Sequence, residues 1–266
     1  MRPGFRTRYE QEVARGLAQA GPEVLVTEQD LAGLPSLLQT YLHRAGAVGR
    51  PRVQNFRVRF RGEMRPSHHA GWMRIQAEQH TFLGAQPARL FLMKAARFGV
   101  PFEAFHCFKG AHATMEVRVA RFFQVVDARG PEMDQGETVT FFNDLCLLAP
   151  AALLEAEVTW EDVGGRSLKG TFRHQGHCVS AVLTFDEEGD LRQFTSEDRF
   201  QSSDGKVYRT FPWSTPIQGY RDCHGVRLVT QAEAVWLEPE GPFPYARFEV
   251  EDLVTNGGAA RAERTP

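Results

Sequence analysis

The sequence predicts an α+β fold: one curved antiparallel β-sheet, of roughly ten to twelve strands, packed on three or four helices. Three observations carry this. Apolar and polar residues alternate with a period of two over most of the chain after Val53. Turn signals punctuate those runs, among them Gly164-Gly165, Glu188-Gly189-Asp190, Asp204-Gly205 and His224-Gly225. Helical periodicity is confined to the first segment and one insertion. Strands that follow strands at short spacing argue for a meander instead of βαβ units, and a sheet this wide must curl.

The chain opens helical. Tyr9 to Ala20 carries Val13 and Leu17 four residues apart, and Gly21-Pro22 stops the run. Leu34 to Ala45 forms a second helix, with Leu34, Leu37, Leu38, Tyr41 and Leu42 on one stripe and Gly46 at its end. From Val53, Phe56, Val58 and Phe60 alternate with Arg57, Arg59 and Arg61, giving a dry and an arginine-lined face. Trp72–Phe82 and Thr114–Phe122 alternate in the same way, whereas Ala88–Ala96 is apolar on both faces, as in a covered strand. Gly136 to Glu155 reads as a helical insertion broken at Pro150. The remaining strands are Glu157–Val163, Arg166–His174, His177–Phe185, Leu191–Gln201, Lys206–Phe211, Gly219–Asp222, Val226–Trp236 and Tyr245–Val254. No compositional break marks a linker. One domain is therefore expected over residues 1–255, comprising a helical segment (8–46), sheet (53–127), helical insertion (135–155) and sheet (157–254), with a disordered tail at 256–266.

Composition excludes several classes. The 266 residues are 42 % hydrophobic and 24 % charged with a net charge of −2, which fits neither a disordered chain nor a polybasic nucleic-acid binder. Four widely spaced cysteines make no disulfide scaffold. Only four of the 31 basic residues are lysines, and the arginines are scattered. Twenty phenylalanines against five tyrosines call for a dry core or an apolar cavity. The N-terminus carries no signal-peptide pattern and no window approaches a membrane span, so a cytoplasmic location is expected. The oligomeric state is left open.

Motifs for chemistry are sparse. The nine histidines show no metal-ligand spacing, and neither a nucleophile elbow nor a phosphate-cradling glycine loop occurs, so no metal and no cofactor is expected. Cys146 lies in an apolar helical stripe, where a thiol is ordinarily inert. The best candidates are polar residues in apolar surroundings. Asn143 and Asp144 sit between Phe141-Phe142 and Leu145–Leu148, and a buried carboxylate there needs a donor, for which Arg199 and Trp213 are the nominees. Trp213 and Tyr220 belong to PWSTPIQGY, read as a proline-stiffened loop at the sheet rim. Glu78 and His80 share one face of their strand and form an acid–base pair if that face lines a cavity.

Three segments, Arg129–Leu153, Ala181–Lys206 and Pro212–Leu228, resemble an uncharacterised bacterial family of unknown function, with the likeness covering most of Val53 to Val254. The succession of apolar strand, Phe185-Asp186 turn, polar strand ending in Asp198 and second hairpin is similar to LolA-type lipoprotein carriers. That likeness implies a half-barrel with an apolar cavity between sheet and helices. The expected function is binding of a small hydrophobic or amphipathic ligand, with Asn143, Asp144, Arg199, Trp213 and Tyr220 as contacts. Two alternatives stand beside it: an enzyme using Glu78, His80 and Asp144 in the same cavity, and an interaction protein without a small ligand.

Overall fold

The computed structural model describes residues 3–19, 21–120, 122–202, 204–223 and 225–257. The tail beyond 257 and His224 of the predicted His224-Gly225 turn lie outside these. Helix α1 (Phe5–Leu17), a short α2 (Glu28–Leu31) and α3 (Ser36–Arg44) come first. Six strands follow: β1 (Asn55–Met64), β2 (Met73–Phe82), β3 (Ala88–Arg97), β4 (Val100–Lys109), β5 (His112–Val119) and β6 (Phe123–Ala128). Helix α4 (Pro131–Leu148) and a 3-10 turn (Pro150–Leu154) interrupt the strands. The second set is β7 (Val158–Gly164), β8 (Ser167–His174), β9 (His177–Phe185), β10 (Leu191–Ser196), β11 (Phe200–Gln201), β12 (Arg209–Thr210), β13 (Trp213–Cys223), β14 (Val226–Glu238) and β15 (Gly241–Thr255).

Thirteen strands form one antiparallel sheet in the order β6-β5-β4-β3-β2-β1-β15-β14-β13-β10-β9-β8-β7. The two halves of the chain join where β1 pairs with β15, from Phe56↔Thr255 to Met64↔Ala246. The sheet is not closed: β6 and β7 are its edges. Since α4 links those two edges, it must cross the hollow of the curved sheet. Its surroundings agree, because every residue from Gly136 to Leu148 is buried. A helix covered on all sides needs no amphipathic stripe. Pro131 occupies its first turn, Gly130 precedes it at φ 110°, and Glu132 and Asp134 answer the positive end of its dipole.

The core is largely aromatic. Phe142 stacks on Phe172 at 5.0 Å and meets Phe194 edge-on at 5.5 Å, and Phe194 in turn meets Trp213. Helix α3 closes the end of the hollow near the helix C-terminus. There the Tyr41 hydroxyl donates to the Cys146 carbonyl at 2.7 Å, and Arg44 pairs with Asp190 on the β9–β10 turn. Helix α1 lies on the outer face instead, where Phe5 and Tyr9 pack with Leu90, Leu92 and Phe105. The arginines of β1 also point outward, and Asp252 and Glu249 of β15 answer their charge: Arg57–Asp252 is 2.5 Å and Arg61–Glu249 is 2.5 Å.

Several local expectations are corrected. Val100–Lys109 and Phe123–Ala128 are strands that alternation did not mark. Pro101 obscures the first, yet proline is tolerated at a strand's start. The expected strand Leu191–Gln201 splits into β10 and β11. Of the expected Lys206–Phe211 strand, only Arg209–Thr210 pairs, with β11 in a separate ribbon. The segment read as a stiff rim loop, Pro212–Tyr220, is instead mostly β13. Pro216 is accommodated there because pairing with β14 lapses between Ser214 and Ile217.

Candidate ligand site

A cavity of about 180 Å³ lies between α4 and the middle strands of the sheet. Its roof is one stripe of α4: Glu137, Thr140, Asp144 and Leu147, spaced three or four residues apart and therefore on one face. Its floor is the inner face of β1, β14 and β15, with Phe60, Val229, Phe248 and Val250 as apolar walls. Ala232, Ala234 and Ala246 also line the floor, and their small side chains leave the space open.

One side wall is a buried charge network. Arg89 of β3 donates from Nε to Asp144 at 2.6 Å, from one terminal nitrogen to Glu137 at 3.0 Å and from the other to Gln79 at 3.0 Å. The Gln79 amide returns a hydrogen bond to Asp144 at 2.8 Å and gives another to Thr81 at 2.9 Å. Such a network is tolerable only because each charge meets its opposite. Burial works to raise the Glu137 carboxyl, but the Arg89 charge, the neighbouring His106 ring and Arg199 together outweigh it and hold it at about 2. His106 Nδ1 lies 3.5 Å from the outer Glu137 oxygen and is buried without a hydrogen-bond partner among the described residues.

The opposite wall is aromatic. The Arg199 guanidinium stacks 4.4 Å above the Trp213 ring and 5.3 Å from that of Trp236. It donates to the Thr140 hydroxyl at 3.2 Å and to the Tyr245 hydroxyl at 3.2 Å. Trp213 Nε1 donates to the same Tyr245 oxygen at 3.2 Å. Arg199 makes no ion pair among the described residues, in contrast to Arg89. Beside it, Thr215 donates to the Asn143 side-chain oxygen at 2.6 Å.

Thus Asn143, Asp144, Arg199 and Trp213 all line one cavity. The donor to Asp144 is Arg89 with Gln79, not Arg199 or Trp213. Tyr220 lies away from this group, and its hydroxyl donates to the Leu191 carbonyl at 2.6 Å. Glu78 and His80 point to the outer face of β2, where Arg6 pairs with Glu78 at 2.8 Å and Tyr9 meets His80 Nδ1 at 2.7 Å. The sheet separates them from Asp144. Burial under α1 lowers the His80 pKa to about 4. Cys146 is buried, which raises its thiol well above the ordinary range. Among the described residues no three His, Cys, Asp or Glu side chains converge as metal ligands would.

Arg89, Gln79, Glu137, His106 and Tyr245 were not nominated from the sequence. One signal was available: Arg89 is the sole charge in ARLFLM, a run apolar on both faces. A lone arginine there must be paired.

The sequence profile of DUF6544, a family of unknown function, matches residues 24–248. The chain belongs to that family. The match begins well before Val53, so it takes in α2 and α3 as well as the sheet. No curated protein matches the sequence. Among solved structures, a DUF1329 family protein from Desulfovibrio piger is 12 % identical, with 80 % of this chain and 88 % of that one covered at a TM-score of 0.44. A LolA superfamily protein from Nitrosomonas europaea is 11 % identical, with 86 % and 97 % covered at a TM-score of 0.42.

Proposed function

We propose that this DUF6544 protein binds a small hydrophobic or amphipathic molecule in the cavity beneath α4. The observation that carries the reading is the cavity itself: apolar on its floor, with convergent polar groups on two opposite walls. Sites for small molecules have this makeup. About 180 Å³ is less than the roughly 300–1,000 Å³ of pockets for drug-sized ligands and near the roughly 150 Å³ that holds a benzene ring. The ligand is therefore a ring or a short chain, with its apolar part over Val229 and Phe248 and its polar end toward Arg199, Trp213 and Asn143.

The acid–base alternative required Glu78, His80 and Asp144 in one cavity, and they lie on opposite faces of the sheet. Asp144 is also engaged by Arg89 and Gln79. The four free cysteines fit a reducing compartment, and the reading places the protein in the cytoplasm. No described helix is long and apolar enough to cross a membrane.

Ala232→Phe tests the reading. A phenyl ring fills most of the cavity while leaving the strand pairing Ala232↔Phe248 in place. The wild type is expected to bind indole, an amphipathic ring of suitable size, saturably in isothermal titration calorimetry, and the variant to lose at least tenfold in affinity with an unchanged circular dichroism spectrum. Equal affinity in a folded variant places the probe elsewhere and rejects this cavity as the site.

A further inference from the structure

Among the described residues only three phenylalanines are exposed: Phe98 at 93 %, Phe122 at 84 % and Phe123 at 70 %. All three sit at one end of the sheet. Phe98 lies on the two-residue turn between β3 and β4, since Arg97 pairs with Val100. Phe122 and Phe123 lie at the turn between β5 and β6, where Val119 pairs with Phe123. The two turns touch, for the Ala120 amide donates to the Pro101 carbonyl at 2.8 Å. Val100 and Val125 extend the same apolar surface.

Phe98 holds φ +51°, a left-handed conformation that suits glycine or asparagine and strains a bulky residue. A ring has been placed at the tip where local geometry favours none. The Arg97 guanidinium stacks on it at 5.3 Å.

Charge surrounds these rings. The β1–β2 connection ends at the same edge of the sheet, because Met64 pairs with Met73 and Ile75 with Ala95. In sequence, the stretches 63–74 and 94–103 hold Arg65, Arg74, Lys94 and Arg97 against Glu63 and Glu103, and the acidic Glu238 and Glu240 lie farther along the same end at the β14–β15 turn, where Glu238 pairs with His68 at 2.8 Å. Trp72, in the first of these stretches, is flanked by Arg65 at 4.7 Å and Arg247 at 4.3 Å.

We propose that this end of the sheet seats the protein on an anionic lipid bilayer. Phe98, Phe122 and Phe123 enter the headgroup layer, and Arg74, Lys94 and Arg97 meet lipid phosphates. Projecting aromatic tips with basic neighbours suit the bilayer interface, which takes up rings and attracts cations over short distances. A second copy fits less well. Pairing along the β6 edge leaves Phe98 uncovered, because β4 and β5 stand between that edge and the β3–β4 turn. The seat does not depend on a loaded cavity, although Met64, the last residue of β1, lines that cavity at this same end.

Cosedimentation tests it, with vesicles of phosphatidylcholine and phosphatidylglycerol in equal parts and with vesicles of phosphatidylcholine alone. The wild type is expected to bind the anionic vesicles at least tenfold more tightly, with the preference falling as salt rises. The triple substitution Phe98→Ser, Phe122→Ser and Phe123→Ser is expected to lose at least tenfold on both, while indole binding in the cavity persists. Lys94→Glu with Arg97→Glu is expected to abolish the anionic preference. Phe98→Ser alone gives a partial loss and serves if the triple variant misfolds. Wild type that stays in the supernatant with both vesicles overturns the proposal, as does a folded triple variant that sediments like wild type. A concentration-dependent dimer that the triple variant abolishes reassigns the surface to a protein partner.

Discussion

Arg89→Met removes the cation that hydrogen-bonds both buried carboxylates, Asp144 and Glu137. Arg89, Glu137 and Asp144 are 7 %, 3 % and 6 % exposed, so water cannot replace the lost partner without opening the cavity wall. Glu137 titrates at about 2 against an ordinary 4.5, which at about 1.4 kcal/mol per unit corresponds to about 3 kcal/mol of stability for that group. Breaking a buried pair by deleting one member costs about 3–5 kcal/mol, in agreement. Urea unfolding followed by circular dichroism measures it. In the wild type the Glu137 contribution is complete above pH 4.5 and is lost only as pH falls toward about 2, so it is flat between pH 7 and 5. In the variant, burial, the largest single influence on this group, is opposed only by His106 and Arg199, and the Glu137 carboxyl is expected to rise above 4.5. Glu137 then takes up a proton more readily at pH 5 than at pH 7. The variant is expected to be less stable by about 3–5 kcal/mol at pH 7 and by clearly less at pH 5. Adding Glu137→Gln and Asp144→Asn is expected to restore most of the loss. A gap under about 1 kcal/mol at pH 7, or one that widens at pH 5, refutes the account of the network.

Two further predictions concern the core. His174 packs on Phe141 at 4.9 Å, and burial lowers its pKa to about 4, as it does that of His80. The unfolded chain therefore takes up protons first as pH falls: stability is present above about 6.5 and drains between about 6.5 and 4. His174→Phe removes one of these two titrations from an aromatic nest, so its urea midpoint is expected to fall less than that of wild type between pH 7 and 5; parallel losses contradict this. At Gly170, an added Cβ would meet Phe142 and Trp160 ring carbons at 2.8 Å each. Gly170→Ala is expected to destabilise by about 1–3 kcal/mol, seen as a lower melting temperature. An unchanged melt shows that the rings have room to move.

Much of the site lay within reach of the residues themselves. The polar pair Asn143-Asp144 inside an apolar helix implied a buried partner, because a carboxylate cannot be left unpaired in a core. The partner's identity did not follow. On β2, Gln79 and His80 are neighbours in sequence, yet one faces Asp144 and the other faces Tyr9. Alternation separates two faces without saying which is inside, and a shift of one residue exchanges them. Glu78 and His80 then gained a cover of their own, because α1 packs on the outer face and buries a histidine that alternation alone would leave wet.

Strand periods, turn glycines and the isolated helical insertion were properties of the chain taken segment by segment. They settled the α+β class and the curved antiparallel sheet, because burial imposes a period of two on a strand wherever it lies. The cavity depended on which strands became neighbours. Sheet order makes β6 and β7 the edges, so α4 has to cross the hollow. It also brings β1 against β15 and sets alanines of β14 and β15 beneath the helix, where a gap remains. The contact between Arg89 and Asp144 spans 55 residues and exists only once that order is made. Such pairings are decided by how whole faces pack, and no local pattern in either segment records them.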